Sequence, residues 1–599
     1  MIDSPIVQTL VKMSSGVEIE QQLNLSTTDL QTLGDIGGVK NIQLYNPIYP
    51  MFFNLNESNW NNISLNQKYH IQSKDTVIEI IQKDGTEKEK IPKNIFIKYS
   101  PLLDPVKYMT GKYDINDTKI RTLPNLTTTS DVCHSKMVNP MNSSYVDNFF
   151  YYLSSMMKNK YGFVHGIDFY GSFLGIQEKF KMKVEDDLSY LAGSSFFLSN
   201  IGKLMVLENV DEKQLISDEM KDSRCKRSKV CIGEGDDDLL LDIETLDIAP
   251  SIITRVSDSS WDEPCEIVYN TKQNDGNDAD IEDNNDSDSD NSDSDDSSNS
   301  SDSSNSDSSN SDSDSDSDSD NSSNDSSNNS INSSNNSDNS DWEDIESDEE
   351  PEPIAHIFDF PIQMICLEQC ENTLDSLLED GELEHDKYAS ILFQIVITLL
   401  VYQKVFKFTH NDLHTNNIMF IKTEQEFLYY IVNGKSYKVP TYGYIFKLID
   451  FGRSIYKYNS KIFCSDSFEK GGDGHTQYNC EPFMNNNKPR LEPNMSFDLC
   501  RLGCSIFDFI DDEDEESIKD DFFKTIERWC NDDSGDSVLY KKNGKERYAG
   551  FKLYRMISRT VHNHTPEEQL KLPFFKQFES ILDDSNTNVM NIDSFPILV

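Results

Sequence analysis

The sequence predicts an α+β protein with more than one core, because 599 residues exceed what a single hydrophobic core holds together. Three observations carry that prediction. Runs of β-branched and aromatic residues alternate with turn signals over residues 69–99 and recur at 361–370. A long amphipathic stretch from His385 to Phe406 has helical spacing. Between these regions, from about Asn274 to Ser347, the chain is almost only Asp, Ser and Asn. Such a tract cannot bury enough apolar surface to offset its ordering entropy and is predicted to be disordered.

Composition narrows the function classes. The formal net charge is −51, which argues against general binding of nucleic acid or anionic membranes. The 11 cysteines are irregularly spaced with no C-x-x-C pair, so a zinc ribbon is excluded. Met1-Ile2-Asp3-Ser4-Pro5 lacks the basic start of a signal peptide. The longest apolar run, Ile391–Val401, is broken by Gln394 and Thr398 and is too short to span a bilayer. An intracellular, soluble, reducing setting is expected.

In chain order, residues 1–60 carry no assignable chemistry. Asp35–Gly38 reads as a turn, and Pro47–Phe53, with two prolines, as an extended packed segment rather than a helix. Strands are predicted at Tyr69–Gln72, at Thr76–Ile81 before the Asp84-Gly85 turn, and at Asn94–Tyr99. The third ends three apolar residues in Lys98, which alone reads as a surface lysine on a half-buried strand. Tyr145–Met157 has helical period, with Tyr145, Phe149, Tyr152 and Met156 on one face. Asp147 is the only carboxylate between Asp131 and Asp168. A strand fits Gly166–Leu174, a helical stretch Leu188–Val210, and a small basic cluster Lys221–Lys229 precedes the acidic tract. Serines in that tract lie beside carboxylates and suit an acid-directed kinase as substrate. Beyond it, Pro361–Cys370 reads as a strand. Phe427–Val432 and Lys435–Val439 form a hairpin about Asn433-Gly434, and Ile445–Ile449 is a strand leading into Asp450. Arg453 to about Asn479 is Gly/Asp/Ser-rich.

Two motifs carry chemistry. His410-Asn411-Asp412-Leu413-His414-Thr415-Asn416-Asn417 spells H-x-D-x-x-x-x-N, and Asp450-Phe451-Gly452 spells D-F-G. Either alone is a polar turn between core strands. Together, in order, each after an apolar segment and followed by the D-x-x-x-x-G of Asp498–Gly503, they match the catalytic loop and metal-binding turn of a protein kinase. The chain resembles the eukaryotic-type protein kinase superfamily over about residues 60–175 and 355–580, and is similar to divergent kinase-like proteins of large DNA viruses.

The resemblance implies a two-lobed protein-kinase-like fold, a small β-rich lobe and a large helical lobe, with the acidic insert in the small lobe. It divides the chain into an N-terminal extension (1–60), the first part of the small lobe (61–175), the insert (176–354), the end of the small lobe and hinge (355–368), the large lobe (369–590) and a tail (591–599). It implies ATP and Mg²⁺ in the cleft, transfer to Ser or Thr of a protein substrate, and, for a viral chain, the host cytoplasm. Asp412 becomes the base for the incoming hydroxyl, and Asn417 and Asp450 the metal ligands. Lys98 holds phosphates and pairs with Asp147 on the following helix. Leu367 is the gatekeeper, and the backbones of Glu368 and Cys370 meet adenine. His410 and Phe451 pack between the lobes, Gly452 completes the turn, and Asp498 holds the catalytic-loop backbone.

The pattern also departs from the family. The loop at Gln72-Ser73-Lys74-Asp75 has no glycine, so no G-x-G-x-x-G precedes Lys98. Asn411 stands for the usual Arg, and His414 for the usual Lys. Asp147 is a methylene shorter than the usual Glu, and Cys480-Glu481-Pro482-Phe483 differs in order from A-P-E. Two alternatives follow, a pseudokinase scaffold with impaired nucleotide binding and a small-molecule kinase, since H-x-D-x-H-x-x-N recurs in the latter.

Overall fold

Strands dominate the N-terminal half. In chain order they are Val39–Gln43 (β1), Tyr69–Ser73 (β2), Thr76–Ile80 (β3), Lys88–Pro92 (β4) and Ile95–Pro101 (β5). Helices Pro105–Met109 (α1), Ser135–Val138 (α2) and Ser143–Tyr161 (α3) lead to Phe169–Lys183 (β6). Leu188–Ala192 (α4), Ser195–Asn200 (α5), Met205–Glu208 (β7), Ile354–Glu368 (β8) and Asn372–Thr373 (β9) follow. The remainder comprises Leu374–Glu379 (α6), His385–Phe406 (α7), Ile418–Lys422 (β10), Phe427–Val432 (β11), Lys435–Pro440 (β12), Tyr444–Leu448 (β13), Ile455–Tyr458 (β14) and Lys461–Cys464 (β15). It closes with Phe497–Phe507 (α8), Asp521–Trp529 (α9), Phe551–Thr560 (α10), Pro566–Gln569 (α11), Pro573–Lys576 (α12) and Met590–Asn591 (β16). This computed structural model describes residues 37–63, 65–73, 76–80, 88–210, 352–379, 381, 385–510, 520–582 and 588–599. The acidic tract, the Lys221–Lys229 cluster, the Asp84-Gly85 turn, and Lys74 and Asp75 of the glycine-free loop lie outside them.

The architecture is mixed α+β and compatible with a two-lobed arrangement. The main sheet is antiparallel in the order β1-β6-β8-β5, with β7 also on β8. β8 is its centre, and Ile357, Phe360, Ile362, Met364, Ile365 and Cys366 are all fully buried. A strand covered on both faces reads as a near-continuous apolar run, which is the pattern at 360–367, broken only by the buried Gln363. Its register with β5 sets Lys98 opposite Ile365 and Phe96 opposite Leu367. β2, β3 and β4 form a separate three-stranded sheet.

Several elements differ from the sequence expectation. The N-terminal segment contributes β1, an edge strand on β6. The Pro47–Phe53 segment holds a 3-10 turn at Tyr49–Met51, whose Pro50 sits where no amide donor is needed. It delivers Phe52 to stack on Phe149 of α3 at 5.2 Å. β4, Lys-Glu-Lys-Ile-Pro, has one aliphatic side chain before its proline and is held by its ladder to β3, so composition hides it. Leu188–Val210 is two short helices and β7 rather than one helix, broken at Gly193 and Gly202. β8 begins at Ile354, and Pro361 lies within it after Asp359 takes φ 49.

The hairpin expected at Asn433-Gly434 forms, with Val432 opposite Lys435 and φ of 51 and 71 at the two turn residues. Asp593 accepts both turn amides, at 2.7 and 2.8 Å, and β16 pairs with β11, which ties the C-terminal segment to the hairpin. α7 is long and apolar enough to cross a membrane, yet 89% of that window is buried within the protein, as befits a core helix. Among the described residues the eight cysteines are buried and form no disulfide, and no cluster of three or more His, Cys, Asp or Glu could hold a metal.

Gly503 on α8 lets α9 approach closely. A Cβ there would lie 2.8 Å from Trp529 Cβ. Gly503→Ala is therefore expected to lower stability by about 1–3 kcal/mol despite better helix propensity, read as a lower denaturant midpoint.

Candidate functional site

The site begins with a buried lysine. Lys98 Nζ lies 2.8 Å from Asp147 Oδ2 and 3.0 Å from Asp450 Oδ1. These groups come from β5, α3 and the turn after β13. Lys98 and the Asp147 side chain are each 1% exposed. Asp147 also accepts the Phe451 amide at 2.8 Å, and Tyr151 OH, one turn along α3, accepts the Asp450 amide at 2.9 Å. Helix α3 thus grips both the lysine and the D-F-G turn. Asp450 takes φ 59, a left-handed conformation that Asp tolerates better than most side chains. Burial, with the Asp450 carboxylate nearby, raises the Asp147 carboxyl, against the pull of Lys98. One cation here serves two carboxylates.

The loop 409–417 is held from below by α8. Asp498 accepts the amides of His410 and Asn411, both at 2.9 Å. His410 Nε2 donates to the Ile449 carbonyl at 2.8 Å, and its ring lies 5.7 Å from that of Phe451. Asn411 has φ 65, a conformation Asn accepts readily. Its Oδ1 accepts from Tyr478 OH at 2.8 Å and its Nδ2 donates to the Arg453 carbonyl at 3.1 Å. Asn417 Nδ2 donates to the Asp412 carbonyl at 2.9 Å and to His414 Nε2 at 3.0 Å. Burial lowers the His414 imidazole to about 4, so it is neutral and accepts this bond. Both Asn417 amide protons are thereby used. Gly452 N approaches Asp450 Oδ1 at 3.4 Å.

Asp412 is half-buried, and its Oδ1 accepts from Tyr554 OH on α10 at 2.8 Å. Arg501 Nε on α8 donates to the same Tyr554 oxygen at 3.0 Å. Arg453 stacks near the Tyr554 ring, 5.5 Å from its centroid, and pairs with Asp473. Burial alone would raise the Asp412 carboxyl. Arg453, Arg501 and the Tyr554 hydroxyl outweigh it and hold Asp412 below the usual carboxylate range. A carboxylate beside two guanidiniums stays ionised at neutral pH.

Glu368 and Cys370 sit at and just beyond the end of β8. The Glu368 amide donates to the Asp168 carbonyl at 2.9 Å. Its side chain lies in an ion cluster that the sequence reading missed. Lys447 Nζ on β13 and Lys158 Nζ on α3 each lie 2.8 Å from Glu368 Oε2. Lys447 also donates to the Gly166 carbonyl at 2.9 Å, and Lys158 reaches Asp168 at 2.9 Å. The cluster bridges α3, the end of β8 and the strand leading to Asp450. Tyr554, Arg453 and Arg501 were also missed, since their motifs have no fixed spacing from Asp412. A lysine inside the apolar run Tyr444–Leu448 was the one available signal for Lys447.

No family model matches the chain. The chain is 36% identical over 93 residues to serine/threonine-protein kinase haspin of Mus musculus, covering 15% of this chain and 12% of that protein. It is 31% identical over 138 residues to haspin of Bos taurus, covering 22% and 17%. It is 41% identical over 70 residues to uncharacterized protein 098R of Invertebrate iridescent virus 6, covering 11% and 12%. The chain thus spans less than a fifth of each of these relatives. The similarities support a protein-kinase-like relationship.

Burial raises the Glu368 carboxyl, but Lys447 and Lys158 outweigh it and set its affinity for protons below the ordinary value of 4.5. Its contribution to stability is therefore present above pH 4.5 and is lost as pH falls through the depressed folded value. Glu368→Gln leaves Lys447 without its counterion, and is expected to cost about 3 kcal/mol at neutral pH and to flatten the acid limb of the stability curve, measured by denaturant titration across pH.

Proposed function

We propose that the chain is a protein kinase that transfers phosphate from ATP to Ser or Thr of a protein substrate, through a cleft in a two-lobed kinase-like fold. The observation that carries this reading is Lys98 held between Asp147 and Asp450, with Asp412 and Asn417 presented by a loop anchored on Asp498. The partial similarity to haspin supports it.

The residues fit the groups such a reaction needs. Asn417 has both amide protons engaged, which leaves Oδ1 for a cation. Asp450 is partly exposed, at 21% of its side chain, and only its Oδ1 is drawn to Lys98. Two oxygen ligands suit Mg²⁺, which keeps waters and phosphate oxygens in its remaining positions. ATP supplies the phosphoryl group, and Mg²⁺ neutralises its charge. Lys98 would hold the phosphates, and the backbone of Glu368, at the end of β8, and of Cys370, just beyond it, would meet the adenine. Tyr554 occupies Asp412 Oδ1, so Oδ2 is the atom that orients the substrate hydroxyl and accepts its proton.

Incubation of purified protein with Mg²⁺, labelled ATP and generic protein substrates tests the reading. Asp412→Ala and Asp450→Ala are expected to abolish incorporation. Label that survives both substitutions sinks the mechanism. No incorporation, together with no thermal shift by Mg-ATP, assigns the chain to scaffolds instead.

Tyr554 acts on Asp412 as a positioning residue. Tyr554→Phe is expected to lower kcat about tenfold, the scale of one hydrogen bond to a charged group. It also removes a contact that lowers the Asp412 pKa, so the acid limb of the pH–rate profile moves to higher pH. A purely structural role would leave that limb in place.

A further inference from the structure

One short segment runs against the charge of the whole chain. Residues 541–559 hold seven Lys and Arg and one carboxylate, Glu546, in a protein of net charge −51. The segment opens as a tight hairpin. Arg547 N donates to the Leu539 carbonyl at 2.7 Å, Lys541 N to Lys545 O at 2.8 Å, and Gly544 turns the tip with φ 75. Arg547 anchors it through Asp532 at 3.1 Å. Lys541, Lys542, Lys545 and Lys552 are exposed, and none makes an ion pair among the described residues.

This cationic face adjoins the candidate site. Lys552 lies between Phe551, over which Arg453 packs at 5.7 Å, and Tyr554, which touches Asp412. The far end of α10 meets the segment after the D-F-G turn, with Arg559 donating to Thr476 O at 2.9 Å and Ser558 to Gln477 O at 3.0 Å. Lys488 and Lys470, both exposed, also bear electrostatically on His475 beside that contact. Of the carboxylates near this face, Asp473 pairs with Arg453, Glu492 with Arg490, and Asp532 and Asp536 with Arg547, while Glu546 stands exposed in the hairpin itself. Exposed lysines are ordinarily a solvated face. Here like charges are gathered, against mutual repulsion, within one hairpin and the first turn of α10, which meet at Tyr548, whose ring lies 5.1 Å from Arg547 and 5.6 Å from Lys552.

We propose that this face docks Asp/Glu-rich segments of partner proteins, so that the preferred phosphoacceptor is a Ser or Thr flanked by carboxylates. The substrate half of this inference rests on the kinase reading above. Charge complementarity selects the partner, and the strongly acidic remainder of the chain disfavours nucleic acid.

The test uses the full-length protein and a labelled peptide copying the alternating Ser-Asp run 311–320, with an Asp→Asn copy as control. Anisotropy is expected to show binding of the acidic peptide that weakens with salt, and little binding of the control. In the combined Lys541→Ala, Lys542→Ala, Lys545→Ala and Lys552→Ala variant, affinity for the acidic peptide should fall about tenfold, as four modest surface charges predict. Its KM for that peptide should rise by the same factor with kcat within about twofold, and its thermal midpoint should be unchanged. Equal binding of both peptides, an unaltered affinity in the variant, or tighter binding of a single-stranded oligonucleotide overturns the proposal. Salt-sensitive peptide binding that is lost in the variant, without transfer to any peptide, upholds the docking face and overturns the kinase reading alone.

Discussion

The Lys98 ammonium is the constraint from which the rest of the site follows. A fully buried lysine is tolerated only beside opposite charge, and this one has two carboxylates within 3.0 Å. Meeting that requirement fixes three segments at once. The β5–β8 register must aim Lys98 at the cleft, α3 must bring Asp147 under it, and the turn after β13 must present Asp450. The aromatic packing of α3, with Phe52 on Phe149 and Phe150 on Phe451 at 4.6 Å, holds the helix in that position. Because Asp is shorter than Glu, α3 lies close enough for its own side chains to bond the turn directly, as Asp147 does with Phe451 N and Tyr151 with Asp450 N.

The segment after Asp450 is ordered by hydrogen bonds and two ion pairs, Lys136 with Asp466 and Arg453 with Asp473. Asn411 cannot attract a phosphate as an arginine would, yet it binds Tyr478 OH and the Arg453 carbonyl. Asp466 accepts the Ser143 amide at the start of α3 at 3.0 Å and pairs with Lys136 at 2.5 Å. Ile455 exchanges backbone hydrogen bonds with Thr409. The segment is tied to α3 and to the catalytic loop by groups that need no modification to form these bonds.

Much of this was legible in sequence, and the reasons differ by residue. His410, Asp412, Asn417, Asp450 and Asp498 sit at fixed spacings because one loop, one turn and one helix start present them, so local order preserves their pattern. Asp147 could be singled out only by elimination, as the sole carboxylate in its window. The hairpin at Asn433-Gly434 was readable because positive φ at two successive positions restricts residue choice. By contrast, β1 and β4 are strands because of what they pair with, and β4 lacks the apolar alternation that would announce it. Glu368 drew notice for its backbone while its side chain joins Lys158 and Lys447 across 210 and 79 residues of sequence. Tyr554 reaches Asp412 across 142 residues. Such contacts are products of the tertiary fold and leave no local period.

Net charge misdescribes the electrostatics that matter at the site. A total of −51 suggests a surface hostile to acidic partners, but at physiological salt a charge acts over about 8 Å before it is screened. Arg453 and Arg501 bear on Asp412 beside the neutral His414, and α10 carries one exposed lysine, Lys552, on its first turn. Tyr554, which bonds Asp412 and Arg501, and Lys552, which is exposed, both belong to α10. A local group of cations can therefore stand beside Asp412 in a chain whose total charge is strongly negative.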